Sequence, residues 1–140
     1  METKYNPYDL VSVVQKKIVP PNCDQTLQIE PTFAHDGYAM ALWMIDDKFI
    51  NGHGVVMGGF LAAATDTIMA YAIASLLDAN QTFASIDLHT TFHRPLLRGT
   101  AKLEAKVERK GNKTAYLTAE VFQNEKKCCS SVSSIMIMEN

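Results

Sequence analysis

The stretch NGHGVVMGGFLAAATDTIMAYAIASLL, residues 51–77, decides how this chain is read. It opens on the turn-forming run from Asn51 to Gly54, passes the glycine pair Gly58 and Gly59, and continues as an apolar segment. Between Gly58 and Leu77 the only charged residue is Asp66. A helix that is apolar all round is expected to be buried, and a buried carboxylate is costly unless it is paired or hydrogen-bonded. The glycine pair sits where the helix begins, and a helix start offers unpaired backbone N–H groups to a negative oxygen. A carboxylate and an oxyanion-binding helix end on one element suggest acyl-transfer chemistry. The structural alternative for Asp66 is a side chain hydrogen-bonded to Thr65, Thr67 or nearby backbone. Asn51 and Gly54 can equally be turn residues, and the glycine pair can serve close packing alone.

On either side of this helix the pattern is that of strands. Pro7 and the apolar positions from Leu10 to Ile18 predict a short N-terminal helix ended by Pro20 and Pro21. Residues 26–33 and 38–45 predict two strands joined by a turn over 34–37. Beyond the helix, residues 83–94 predict one strand stopped by Pro95. Ala101, Leu103, Ala105 and Val107 then alternate with Lys102, Glu104, Lys106 and Glu108, the mark of a half-buried antiparallel strand. The turn at Lys110, Gly111 and Asn112 leads to a second alternating run, and Asn124 to Lys126 turns into a last strand ending near Met138. The expected order is helix, two strands, one long buried helix and four antiparallel strands. That is an α+β architecture, a single domain over residues 1–140, with a curved sheet around one helix. Its edges and helix ends are left for a partner subunit.

Composition narrows the function classes. A formal net charge of −2 gives no general attraction to nucleic acid or anionic lipid. Residues 54–77 are long enough to span a membrane, but they are rich in Ala, Gly and Thr, and an aspartate at a helix centre costs ~2.5–3.5 kcal/mol on insertion. The start, from Met1 to Pro7, lacks the basic-then-apolar pattern of a signal peptide. A cytoplasmic location is therefore expected. Cys23 stands alone, and a bridge between the neighbours Cys128 and Cys129 would be strained, so reduced structural thiols are expected. His89 and His93 share a strand face at a separation of about 13 Å, too far for one metal ion. No metal is expected.

Three further observations extend the pattern: Asn51-Gly-His53-Gly followed by Gly58, Gly59 and Asp66; Ser85-Ile-Asp87-Leu leading to Phe92-His-Arg-Pro95; and the hairpin turn Arg109 to Lys113. In order and spacing these resemble the hotdog-fold acyl-CoA thioesterases, specifically the PaaI-like (phenylacetate-degradation) branch of the 4-hydroxybenzoyl-CoA thioesterase superfamily. The resemblance covers about residues 51–138. It implies that Asp66 is the general base on a water, or the nucleophile, against a thioester carbonyl, with the Gly59 N–H holding the oxyanion. Asn51 would contact the reacting centre or its water, and Ser85 would reach the site from the strand after the helix, often across a dimer interface. Arg109, Gly111 and Lys113 would contact the nucleotide end of coenzyme A, which enters as part of the substrate and not as a cofactor. A homo-oligomer, dimer or dimer of dimers, is implied as well.

One departure concerns the helix start. Relatives usually carry His-Gly-Gly there; this chain has Met57-Gly58-Gly59, and a thioether is only a weak acceptor. His53, in the same loop, is the candidate to compensate, although the sequence does not place its ring. On this reading Gly58, Met57 and His53 complete the substrate-binding set. Arg94, Arg98 and Lys110 extend a cationic rim for phosphates, and Trp43, Phe49, Phe60 and Tyr71 either line an acyl pocket or pack the core. The competing reading is a non-catalytic acyl-CoA or acyl-carrier binding module, with a hotdog hydratase ranking last.

Overall fold

The computed structural model describes residues 6–139; the run from Met1 to Tyr5 lies outside them. Two short helices, α1 (Asp9–Val14) and α2 (Asn22–Leu27), precede strands β1 (Ile29–His35) and β2 (Tyr38–Ile45). A 3₁₀ turn (Asp47–Phe49) leads to the long helix α3 (Gly58–Ala74). Strands β3 (Gln81–Ser85), β4 (His89–Phe92), β5 (Gly99–Lys110), β6 (Thr114–Gln123) and β7 (Lys126–Glu139) complete the order. All strand pairs are antiparallel and run β1-β2-β5-β6-β7-β3, with β4 also on β7. Helix α3 packs across β1, β2, β5 and β6 and reaches β7 and β4 at its margin. No helix among the described residues is long and apolar enough to cross a membrane.

Local chemistry explains the hairpins. Asp36 and Gly37 both have positive φ, as a two-residue type I′ turn requires, and Asp-Gly is a favoured pair for it. Asn124 and Glu125 repeat the arrangement between β6 and β7. The inward residues of the alternating strands (Ala101, Leu103, Ala105, Leu117, Ala119, Val121) form the core with Trp43, Phe49, Ile68 and Tyr71. Trp43, Phe49 and Tyr71 are thus core side chains and not pocket lining. Burial pushes the Cys129 thiol up to about 11, which leaves it protonated and inert.

Three expectations are corrected. Helix α1 stops at Val14, because Lys16 turns left-handed, well before Pro20. Thr26 and Leu27 are helical, not extended: Pro21 precedes the first turn of α2, and left-handed Gln28 ends it before β1 begins. What holds α2 is a tertiary contact, since the buried carboxylate of Asp24 accepts from the Tyr71 hydroxyl on α3. The span 83–94 is two strands. Ile86 N–H donates to Ser134 O, Ser134 N–H donates to the Asp87 carboxylate, and the Ser133 hydroxyl donates to Asp87 O. These contacts replace the ladder between Ser85↔Ile135 and His89↔Val132, so the chain bulges by one residue before pairing resumes.

The Asp24 contact yields a stability prediction. Desolvation raises the Asp24 pKa, and its hydrogen bond from Tyr71 acts in the opposite direction. Tyr71→Phe is expected to cost about 1–3 kcal/mol at neutral pH, where the carboxylate loses its hydroxyl donor and keeps only the Cys23 thiol, a weak one. The loss should shrink in acid, where Asp24 is protonated and needs that donor less. Urea unfolding at pH 7 and at about pH 3, below the ordinary aspartate value, measures it; an equal loss at both would mean that the ionised carboxylate is not what Tyr71 stabilises.

Candidate active site

Helix α3 is not buried all round. Leu61, Ala64, Thr65, Ile68, Met69 and Tyr71 face the core, whereas Gly59 and Asp66 are exposed and Ala62, Ala63, Thr67 and Ala70 are half-buried. Seven residues bring an α-helix back to almost the same face after a rise of about 10 Å. Gly59, Ala62, Ala63, Asp66 and Ala70 therefore form one open stripe of small residues with a single carboxylate in it. The expectation of a buried Asp66 is corrected: the sheet wraps one side of the helix and leaves this side uncovered within the chain.

The structural alternative for Asp66 also fails. The Thr65 hydroxyl donates to Ala62 O and meets the Ser131 hydroxyl at 2.7 Å, and the Thr67 hydroxyl donates to Ala63 O. Asp66 itself makes no hydrogen bond or ion pair among the described residues. Partial desolvation with no compensating partner raises its pKa above the ordinary carboxylate range.

The entry to the helix is held firmly. Met57 N–H donates to Phe49 O, Val56 N–H donates to Leu96 O, and Phe49 packs edge-on against Phe60 with ring centroids 5.0 Å apart. Phe60 and Leu61 N–H both turn to Met57 O, which leaves the N–H groups of Gly58 and Gly59 without a partner among the described residues. Met57 supplies no side-chain cap. A Cβ on Gly58 would lie 2.8 Å from the Phe92 ring, so glycine is required for that approach. A Cβ on Gly59 would meet only the Met57 methyl, at 3.3 Å.

Asn51 serves the loop with one end of its amide. Its Oδ1 accepts from His53 N–H and Val55 N–H, the Ile50↔Val56 bridge closes the loop, and the Nδ2 group makes no hydrogen bond among the described residues. His53 is exposed, and its ring makes no hydrogen bond among the described residues. Ser85, exposed at the end of β3, is joined to neither Asp66 nor Asn51 by a hydrogen bond in this chain. Arg109 and Gly111 line a cleft of about 540 Å³ with Ile86, Asp87, Tyr116 and Ser134, and Lys113 is exposed in the adjoining turn. Arg109 pairs with the outward-facing Tyr116, on the side of the sheet away from α3. The chain alone therefore does not bring this hairpin to Asp66. Arg98 forms an exposed ion pair with Asp47 at 3.0 Å.

Two features escaped the sequence reading. A chain of hydroxyls, Thr65–Ser131–Thr90, ties α3 to β7 and β4 at 2.7 and 2.9 Å. Phe92, on β4, lies across Gly58. Ser131 and Ser133 on the inward face of a strand were the available signal, because buried polar groups must find partners.

Comparison with known proteins follows the same line. The thioesterase superfamily model matches residues 53–130, a span that holds Gly58, Gly59, Asp66, Ser85 and the Arg109–Lys113 turn. No curated protein sequence matches significantly. A phenylacetic acid degradation-related protein of Ralstonia eutropha JMP134 is 24% identical, with a TM-score of 0.84 over 94% of this chain and 99% of that one. The E. coli PaaI protein from the phenylacetic acid degradation operon is 20% identical, with a TM-score of 0.83 over 97% of this chain and 98% of its own. A thioesterase of Haemophilus influenzae is 20% identical, with a TM-score of 0.80 over 98% and 93%. The curled antiparallel sheet around α3 is the hotdog fold, and the chain belongs to the thioesterase superfamily as a thioester hydrolase.

Proposed function

We propose that this enzyme hydrolyses an acyl-CoA thioester to the free acid and coenzyme A, with Asp66 as the catalytic carboxylate. The observation that carries this is a carboxylate without a partner on the open stripe of α3, in line with the two unpaired N–H groups of Gly58 and Gly59. Seven residues separate Gly59 from Asp66 by a rise of about 10 Å, and the Asp side chain leans back toward the helix start. That spacing has room for an acyl carbonyl at the N–H groups and one water before the carboxylate.

In this mechanism Asp66 takes a proton from the water as its oxygen bonds to the carbonyl carbon. The Gly58 and Gly59 N–H groups hold the resulting oxyanion. Collapse then breaks the C–S bond, and the Asp66 proton passes to the departing thiolate. In the alternative role the carboxylate attacks directly and water cleaves the mixed anhydride. The free Nδ2 of Asn51 is suited to orient the water or the carbonyl.

A second copy of the chain fits this reading. Strands β3 and β4 lie on one margin of the sheet, where Ile86 is 55% exposed. A copy seated there would cover the stripe of α3 and carry its own Ser85 and Arg109–Lys113 hairpin toward the site, as a dimer or a dimer of dimers. Light scattering measures this mass directly.

The test is free-thiol release from phenylacetyl-, benzoyl- and straight-chain acyl-CoAs as a function of pH. Protonated Asp66 cannot act as base, so kcat/KM must fall on the acid side. Because desolvation raises this pKa, the acid limb should lie above the range of an ordinary aspartate. Thiol release from none of these substrates, or a rate flat through the acid range, would count against the assignment.

A further inference from the structure

We infer that Phe92 and Met57 form an apolar wall beside the oxyanion donors that selects the acyl group, favouring an apolar acyl chain over acetyl. The inference rests on the acyl-CoA reading above and concerns a property of the same site.

The placement is specific. The Phe92 ring seats on the Cα of Gly58, close enough that any Cβ there would meet it at 2.8 Å. The Met57 methyl lies against Gly59, 3.3 Å from where a Cβ would stand. Each of the two glycines whose N–H is free thus has an apolar side chain where its own Cβ would stand. Both side chains nevertheless keep large exposure in this chain, 55% for Phe92 and 46% for Met57. Strand β4 holds Phe92 in place through the pairing Phe92↔Cys129 and through Thr90, whose hydroxyl meets Ser131 at 2.9 Å.

A carbonyl whose oxygen sits at Gly58 and Gly59 sends two substituents past this wall. One is the pantetheine arm, with amides that need polar partners; the other is the acyl chain. Neither the Phe92 ring nor the Met57 thioether offers a strong hydrogen bond, so the wall suits the acyl chain. An acetyl group is too short to cover the ring, whereas a phenylacetyl or hexanoyl group buries area on it. Binding gained there is retained in the transition state and enters kcat/KM.

The test measures kcat/KM for phenylacetyl-, hexanoyl- and acetyl-CoA in the parent, Phe92→Ala, Phe92→Leu and Met57→Ser. The expected result is a fall of tenfold or more in the hexanoyl-to-acetyl and phenylacetyl-to-acetyl ratios for Phe92→Ala. Met57→Ser should show a smaller fall of the same sign, and Phe92→Leu should recover most of the hexanoyl ratio. An active parent whose ratios stay within twofold in both Phe92→Ala and Met57→Ser overturns the wall and leaves the hydrolase reading standing. A parent inactive on all three thioesters overturns the acyl-CoA reading, and the wall with it.

Discussion

Asp66→Asn is expected to lower thioester turnover by about 10²–10⁴-fold, the usual range for loss of a positioned general base. The amide keeps the size and shape of the carboxylate but can neither accept the proton of water nor attack as an anion. Its effect should fall on kcat, with KM nearly constant, because the residue acts on the reacting centre and not on the bulk of the substrate. The fold should not suffer. Asp66 has no structural partner among the described residues, and its pKa is raised by desolvation alone. A carboxyl group of that kind favours the folded state when neutral; the contribution is present in acid and lost as pH rises through the raised pKa. An ionised Asp66 therefore weakens the fold at pH 7, and the variant should melt at the same temperature or higher, the difference vanishing toward pH 3. Such an exchange of stability for activity is common where a site needs a charged group. Parallel assays of turnover and melting decide the matter: full activity would remove Asp66 from the mechanism, and a lower melting temperature would give it a structural duty.

Trp43→Ala is expected to have the largest effect on stability, about 3–5 kcal/mol. Trp43 is fully buried and donates through its indole N–H to Leu27 O at 2.8 Å. Its ring packs against Phe49 at 5.8 Å, and Phe49 packs against Phe60 in the first turn of α3. Alanine would leave a cavity and an unpaired carbonyl and would loosen the stack that anchors the helix start. A domain with a total stability of about 5–15 kcal/mol would be left marginal, and activity should fall at temperatures where the parent remains folded. Chemical unfolding followed by circular dichroism measures the loss. A change below 1 kcal/mol would mean that the stack closes over the gap.

Asp66 could be singled out from the sequence, as a lone charge in an apolar run behind two glycines. So could the long helix and the period-two strands. The turns at Asp36-Gly37 and Asn124-Glu125 fell where those dipeptides stand, because both properties depend on residues a few positions apart. The error over residues 26–27 has the opposite origin. That segment is helical because Asp24 finds Tyr71, 47 residues away, and no local pattern carries such a pairing.

The same division runs through the site. By itself the sequence determined that one helix carries a carboxylate and begins at a glycine pair, since helical periodicity and the orphan N–H groups of a helix start are local facts. Tertiary structure alone decided which face of that helix stays open, because this depends on how far the sheet curls. It also decided the break at Ile86–Leu88, made by Asp87 reaching Ser134, and the seating of Phe92 on Gly58, 34 positions earlier in the chain. Each of these rests on a contact across strands, whose partner is chosen by the packing of the whole sheet and not by neighbouring residues.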